Sequence, residues 1–522
     1  MTMKRGMGKF VVGNILVTAA LRFGEREAFY CTATERRFTF RQLNERCNRL
    51  ANGLTGLGLK KGDVVAFLST NRVELVEIFF ALAKTGLVGI PLNYRLARPE
   101  LLGLMRGLNA QALVCEAGFA EIATEAMRDL PALSQLVMIG AESLPTKVGE
   151  KPAPMRYEAL LAASSAVEPQ VEIEEADPFY FNLTSGTTGM PKCYVLTQYN
   201  NATLMNMFHA FDLSQHDIIL TVFPIFGRVG FAWAAAAMMY GIRNVIMNFD
   251  VTRALQFIEK ERVTVTNLVP TMIAMILGSG ELGRHDLSSL RALIFAGATL
   301  PATIRQQIDE RIKVPIYEYY GLQETGTLVV STPEDRKRNP GSVGRAILHT
   351  EVRIVNEQGE VLAPGLIGEI VGRSPGSATA YHENPEKSAE TFRAGWVHTG
   401  DLGTLDEEGY LTIRGRKKDM IVTGGQNVFA ADVEDAILSC PDVLDCAVIG
   451  LPDEVWGERV TAVVVLREGA TSTPESIVAH CRQQLAGFKV PKQVILETQS
   501  LPRTPTGKMQ KFILVERHGP PT

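Results

Sequence analysis

The stretch Thr184-Ser185-Gly186-Thr187-Thr188-Gly189-Met190-Pro191-Lys192 carries four hydroxyls, two glycines and one cation. Glycines let backbone N–H groups come close to an anion, and hydroxyls add donors. Lys192 supplies a point charge. The apolar run Phe179–Leu183 just before it reads as a strand, so the loop leaves a strand end. This is phosphate-binding chemistry. It is not the P-loop of kinases and GTPases, which needs G-x-x-x-x-G-K-[ST] opening a helix. Here Lys192 follows Pro191 instead of a glycine. A polar hairpin turn is the bland alternative, and the full string is far more specific than a lone Gly/Thr turn.

Further motifs follow in order. Gly297-Ala298-Thr299 lies in a turn after a strand-like run, and Tyr319-Tyr320-Gly321-Leu322-Gln323-Glu324-Thr325 comes next. Thr399-Gly400-Asp401, then Gly415-Arg416-Lys417-Lys418-Asp419 with Gly424-Gly425-Gln426-Asn427, precede Pro502-Arg503-Thr504-Pro505-Thr506-Gly507-Lys508. In this series the chain resembles the adenylate-forming superfamily of acyl-CoA synthetases, adenylation domains and luciferases, over nearly its whole length. The resemblance implies that a carboxylic acid is joined to AMP and then passed to a thiol. A carboxylate is a poor electrophile, and AMP makes it a good one. Such chemistry needs phosphate donors, a metal and charge stabilisation more than a protein nucleophile.

The resemblance assigns roles residue by residue. Thr184, Ser185, Gly186, Thr187, Thr188, Gly189 and Lys192 hold phosphates. Glu324 holds Mg²⁺, as suits a hard oxygen ligand; otherwise it is a solvated loop carboxylate. Tyr320 faces adenine, with Gly297, Ala298, Glu318, Tyr319, Gly321, Gln323 and Thr325 around the nucleotide. Asp401 accepts from the ribose diol, or is a turn aspartate beside glycine. Arg416 reaches ribose or phosphates, or is a solvated charge. Lys508 crosses to the acyl carboxylate and α-phosphate. Lys418 is a hinge about which a small domain rotates after adenylation. Gly424 and Gly425 then shape a tunnel for pantetheine, with Trp456 as a candidate lining residue. The cofactors expected are ATP, Mg²⁺ and coenzyme A.

Two departures stand out. The family's Thr in Y-G-x-T-E is Gln323 here. Phe223-Pro224-Ile225-Phe226-Gly227-Arg228-Val229-Gly230 resembles P-[LI]-[FY]-H-x-x-G, with Gly227 where a gate ring usually stands. The pocket mouth is therefore expected to be wide, or Arg228 to meet an acidic group; Arg228 as a helix-flanking surface charge is the alternative. Phe226, Gly227, Arg228, Phe231 and Gly297 are the expected acyl-pocket residues.

Such a site needs a large scaffold. The chain has 522 residues, 46% hydrophobic and 7% aromatic, with 53 Lys+Arg against 57 Asp+Glu, a net charge of −4. That length suggests two to four domains. The apolar fraction excludes disorder, and the charge balance argues against nucleic-acid or membrane-surface partners. Seven cysteines, odd in number and without C-x-x-C, fit a reducing, cytoplasmic setting. The eight histidines show no zinc spacing. No apolar run reaches the roughly 18 residues of a membrane span. Phe231–Ile242 reads as a buried Ala-rich helix, and Phe10–Leu21 as an amphipathic helix ended by Gly24, not a signal peptide.

Strand-like and helix-like runs alternate. Val64–Leu68, Arg72–Thr85 and Leu87–Pro91 form one β-α-β series. Asn244–Met247, Thr252–Lys260, Val263–Leu268, Thr271–Leu277, Ala292–Phe295 and a helix opened by Pro301 form another. This predicts α/β layers with largely parallel sheets. After about residue 341, Val352–Val355, Gly368–Val371 and Tyr410–Ile413 predict a small β-rich subdomain. Residues 414–419 form a charged connector. Beyond it, a helix at Ala430–Leu438, strands at Asp445–Gly450 and Arg459–Leu466, and a helix at Pro474–Leu485 closed by Gly487 predict a small mobile α+β domain. The division expected is 1–414, a large adenylation domain, and 415–522. The function expected is an ATP-dependent acid–CoA ligase for an apolar acid, whether fatty, alicyclic or aromatic. The rivals are a ligase loading a carrier protein's phosphopantetheine and a non-catalytic binder. Oligomeric state is left open, with a homodimer among the options.

Overall fold

The structure is a computed structural model and describes residues 8–144, 147–148, 150–184, 192–298, 300–503 and 509–519. Among the described residues, two mostly parallel sheets share one inner layer of helices. The first sheet has seven strands, in the order 155–156, 135–139, 112–116, 64–68, 88–91, 178–184, 192–197. The second has nine, in the order 345–346, 326–331, 316–322, 292–295, 265–268, 218–221, 243–246, 27–31, 36–39. Antiparallel strands close both sheets at an edge, as Lys192–Thr197 does against Pro178–Thr184.

The central strands are short continuous apolar runs such as Val64–Leu68, because both faces are covered. Helices Val12–Phe23, Phe40–Gly56, Val73–Thr85 and Arg228–Tyr240 pack into one core with residues of both sheets, including Phe67 and Phe179 from one and Phe29 and Ile219 from the other. Helices Arg98–Gly107 and Ala120–Asp129 cover the far face of the first sheet. Helices Val251–Glu261, Pro270–Gly278 and Ala302–Arg311 lie against the second. The result is a helix–sheet–helix–sheet–helix sandwich. All thirteen residues of Val73–Thr85 are buried, charged ones included. Each of those charges has a partner: Glu74 has Arg72 at 2.9 Å, Glu77 has Arg46 at 2.5 Å and Lys84 has Glu168 at 2.8 Å. A buried charge without such a partner would cost several kcal/mol.

The β-rich subdomain is an antiparallel sheet of Glu351–Val355, Gly368–Arg373, Trp396–Leu405, Phe392–Arg393 and Leu411–Arg416. Its last strand runs through residues 414–416 of the expected connector, and only Lys417–Asp419 is a separate 3₁₀ turn. The remaining unit has its own sheet and a core built on Val428, Val433, Ile437, Val448, Val464 and Ile477. Its helix from Pro474 ends at Arg482, three residues short of the expected Leu485. Pro301 is the cap before the helix Ala302–Arg311, not its first residue. All seven cysteines are free. No helix among the described residues is long and apolar enough to cross a membrane.

Candidate active site

In the nine-stranded sheet the strand Ile218–Thr221 lies between Arg243–Ile246 and Val265–Leu268, all parallel. The chain steps to one side of it and returns to the other. Such a reversal opens a crevice beyond the carboxyl ends of the strands, where ligands of open α/β sheets bind. Expected residues stand at those ends. Phe226 and Gly227 follow Thr221, exposed Gly297 and Ala298 follow Phe295, and Tyr319 to Glu324 close the series. From the other sheet, Thr184 and Lys192 pair as the ends of two antiparallel strands. Ser185, Gly186, Thr187, Thr188 and Gly189, with Met190 and Pro191, lie outside the described residues, as do Thr299 and Thr504 to Lys508.

Tyr320, Asp401 and Arg416 converge. The Tyr320 hydroxyl donates to Asp401 Oδ2 at 2.7 Å, and Arg416 Nε lies 3.1 Å from Asp401 Oδ1. Asp401 is 5% exposed and faces Arg416 across a register pair of neighbouring strands. Burial, then the Asp401 charge, pushes the Tyr320 hydroxyl well above its ordinary value. Tyr319 lies nearer the core, with Trp233 Nε1 3.4 Å from its hydroxyl, and burial pushes it up to about 12.

Glu324 is half-buried, and Tyr381 donates to its Oε1 at 2.8 Å. Its backbone carbonyl accepts from Ala378 N at 2.8 Å. Among the described residues no three His, Cys, Asp or Glu side chains gather as a metal cage. One carboxylate fits Mg²⁺, which is commonly held by one or two carboxylates plus substrate phosphates. Gln323 Oε1 accepts from Asn182 at 3.0 Å, which fixes its amide beside the end of the strand Pro178–Thr184.

Several expected residues stand elsewhere. Glu318 is buried and engaged with Arg305 at 2.7 Å and Arg336 at 3.5 Å. Thr325 is fully buried, and its hydroxyl serves the turn at Leu322 N, 2.8 Å away. Phe231 is not a pocket wall: it is 0% exposed and packs on Phe79 with ring centroids 4.2 Å apart. It sits on the first turns of an inner-layer helix, which turns it to the core. Arg228 is not a surface charge, and among the described residues no acid pairs with it. It is 2% exposed and donates to the carbonyls of Gln323 and Gly376. Gly227 does leave room, since a Cβ there would meet only Pro224 O, at 3.4 Å.

Other residues carry no signal in sequence spacing. Asn71, 2% exposed, donates to Phe223 O at 2.8 Å and accepts from Ile225 N at 2.8 Å, so it pins the turn before Phe226. Tyr94 meets Phe226 edge-on with centroids 5.6 Å apart. Tyr381 reaches Glu324 from 57 residues away. Only the fold brings these together.

In the last unit, Gly424 has φ +56° and its N–H donates to Trp456 O at 2.8 Å. A Cβ on it would sit 2.9 Å from the Trp456 ring, so glycine is required by contact as well as by backbone. Trp456 is 46% exposed, and Gly424 and Gly425 are exposed too. Lys418 is exposed in the turn Lys417–Asp419.

Comparison with known families agrees with this layout. The AMP-binding enzyme family matches residues 16–382, and its C-terminal domain matches 432–508. The chain belongs to this adenylate-forming family, and its enzyme class is AMP-forming acid–CoA ligase. It is 35% identical to the long-chain-fatty-acid–CoA ligase FadD13 of Mycobacterium tuberculosis, over 94% of this chain and 95% of that protein. It is 35% identical to the indoleacetate–CoA ligase of Aromatoleum aromaticum, over 94% of this chain and 93% of that one. Its structure superposes on ATP-bound MatB from Rhodopseudomonas palustris with a TM-score of 0.86 and 29% identity, over 97% and 99% of the two chains.

Proposed function

We propose that this enzyme couples an apolar carboxylic acid to coenzyme A through an acyl-adenylate. The observation that carries the reading is one crevice of strand ends. It gathers the Tyr320–Asp401–Arg416 cradle, the Glu324 carboxylate and an apolar wall of Tyr94 and Phe226 beside the open position at Gly227. Asp401 accepts from the ribose hydroxyls, oriented for that by Tyr320 and Arg416. The 184–192 loop and Lys192 hold phosphates. Glu324 would hold Mg²⁺, which when bound neutralises charge on the transferring phosphates.

In the first half-reaction a carboxylate oxygen of the acid bonds to the α-phosphorus of ATP and pyrophosphate leaves. Lys508 supplies positive charge where charge develops. In the second, the thiol sulfur bonds to the acyl carbon and AMP leaves. Lys418 is the pivot between the two arrangements. The mobile domain begins after Arg416, because Arg416 is still paired to Asp401 in the β-rich sheet. Trp456 and the Gly424–Gly425 turn then meet the pantetheine arm.

The acid is apolar because the two wall residues named above, Tyr94 and Phe226, are rings packed edge-on beside Gly227. Relatives named for a fatty acid and for an aryl acid are equally similar to this chain. Pyrophosphate release and thioester mass measured over linear, branched and aryl acids, with CoA or a phosphopantetheine carrier protein as acceptor, test the reading. No acid-dependent pyrophosphate from any of them would leave a non-catalytic binder. Thioester on the carrier alone would move the acceptor.

A further inference from the structure

Arg228 opens the helix Arg228–Tyr240, directly after the acyl-pocket turn at Phe226–Gly227. Its guanidinium is buried, yet among the described residues no carboxylate pairs with it. Nη1 donates to the Gln323 carbonyl, Nη2 donates to the Gly376 carbonyl, and Nε has no partner. Burying a cation on carbonyls alone is costly, and a neutral side chain would avoid that cost. Every other buried charge named above, those of the helix Val73–Thr85 included, has a partner of opposite sign.

Both carbonyls belong to the surroundings of Glu324. Gln323 is its chain neighbour, and the same Gln323 carbonyl also accepts from the Tyr194 hydroxyl. Gly376 opens the segment from which Ala378 N reaches the Glu324 carbonyl and Tyr381 reaches the Glu324 carboxylate. We propose that Arg228 is a positioning residue that ties the acyl-pocket turn to the Glu324 and Tyr381 loops, so that the acid and the metal–nucleotide are set as one unit. Arginine suits this because its planar fork reaches two carbonyls at once, which the single ammonium of lysine does not do in the same geometry. The inference rests on the ligase reading, with Glu324 as the metal carboxylate.

The test uses full-length Arg228→Met, Arg228→Lys and Tyr194→Phe, the last removing the other donor to the Gln323 carbonyl. Two quantities are read. Mn²⁺ binding in the presence of ATP, without acid, is followed by electron paramagnetic resonance. Acid-dependent ATP–pyrophosphate exchange is resolved into kcat and KM for the acid. Arg228→Met is expected to weaken Mn²⁺ binding about tenfold and to lower kcat by about 10–100-fold, since misplacement by about 1 Å costs up to that much. KM for the acid should stay within about twofold. Arg228→Lys should recover part of both losses, and Tyr194→Phe should shift both in the same direction by less. A fall in thermal midpoint with unchanged Mn²⁺ affinity and kcat would make Arg228 a purely structural group and overturn the proposal. If Arg228→Met does not fold, the Lys and Phe variants decide on the same two readings. Wild-type protein that binds Mn²⁺ with ATP but exchanges with no acid would instead refute the ligase reading, and the Mn²⁺ arm would still judge the clamp.

Discussion

Two glycines in one turn should behave in opposite ways. Gly227 has φ −83° and ψ 152°, a conformation open to any residue. A Cβ there would touch only Pro224 O, at 3.4 Å. Gly230, one helical turn on, has no such room: a Cβ would lie 2.1 Å from Pro224 O and 2.8 Å from Ile225 Cα. Both contacts are backbone, so neither can step aside cheaply. Gly227→His should therefore fold with a loss of about 1 kcal/mol or less, mainly from replacing a tolerated N-cap glycine. Gly230→Ala should cost about 1–3 kcal/mol or more by overpacking, visible as a lower thermal midpoint.

The catalytic effects then separate. An imidazole at Gly227 fills space beside Phe226. Each methylene-sized contact in an acyl pocket is worth about 1–3 kcal/mol, or about 10–200-fold. Gly227→His should lower kcat/KM for branched and ring-bearing acids by about that factor and leave short linear acids nearly unchanged. The assay is pyrophosphate release across the acid panel. Gly230→Ala, which distorts the turn itself, should lower all acids together. A uniform loss for Gly227→His would show that residue 227 sets backbone geometry and not pocket width, and the inference of a wide acid would fail.

Lys508→Ala should cut acid-dependent pyrophosphate release by about 10²–10³-fold and largely spare thioester formation from supplied acyl-AMP; equal loss in both half-reactions would remove its proposed role. Lys418→Pro should leave adenylation intact and stop thioester formation from acyl-AMP, because proline cannot absorb a large φ change. Asp335 is held below the ordinary aspartate value: burial opposes this, but hydrogen bonds from Thr332 and Tyr410 and the Arg345 charge prevail. A depressed value means its stabilisation is complete above the unfolded pKa of about 3.9 and is lost as pH falls through the lower folded one. Asp335→Asn should thus cost about 1–3 kcal/mol near neutral pH, and the difference in denaturant midpoint from wild type should vanish in strong acid.

The layered α/β architecture was legible because buried parallel strands are short apolar runs, and helices such as Val73–Thr85 interrupt them at a regular pace. Edge strands were harder. Arg36–Thr39 is two exposed arginines followed by buried Phe38 and half-buried Thr39, without a clear alternation, and its strand character comes from pairing with Glu27–Cys31. The family motifs pointed to Tyr320, Asp401, Arg416 and Glu324 because each motif is local in sequence. Asn71, Tyr94 and Tyr381 were not legible, because each acts on the site from a different strand end or loop. Phe231 and Arg228 were misplaced for one shared reason. A pocket motif that runs into a helix turns its later residues inward, and reading the motif alone does not show where the turn stops and the buried face begins.

The Asp401–Arg416 contact bears on where the two proposed half-reactions divide. Tyr320 comes from the nine-stranded sheet, while Asp401 and Arg416 come from adjacent strands of the β-rich sheet. Their meeting therefore ties the β-rich subdomain to the crevice. Arg416 is the last residue of its strand, and the exposed turn Lys417–Asp419 follows at once. A rotation about Lys418 would leave Tyr320, Asp401 and Arg416 in register and carry away everything from Met420 onward. The proposed nucleotide cradle would then stay closed on AMP while the proposed Lys508 contact is released and the Gly424–Trp456 turn moves. On the proposed reading, the residues that hold the adenylate are separated from Lys508 and from the turn that meets the pantetheine arm by a pivot after Arg416 and before Met420, and the stretch between those two strands is the three-residue turn Lys417–Asp419.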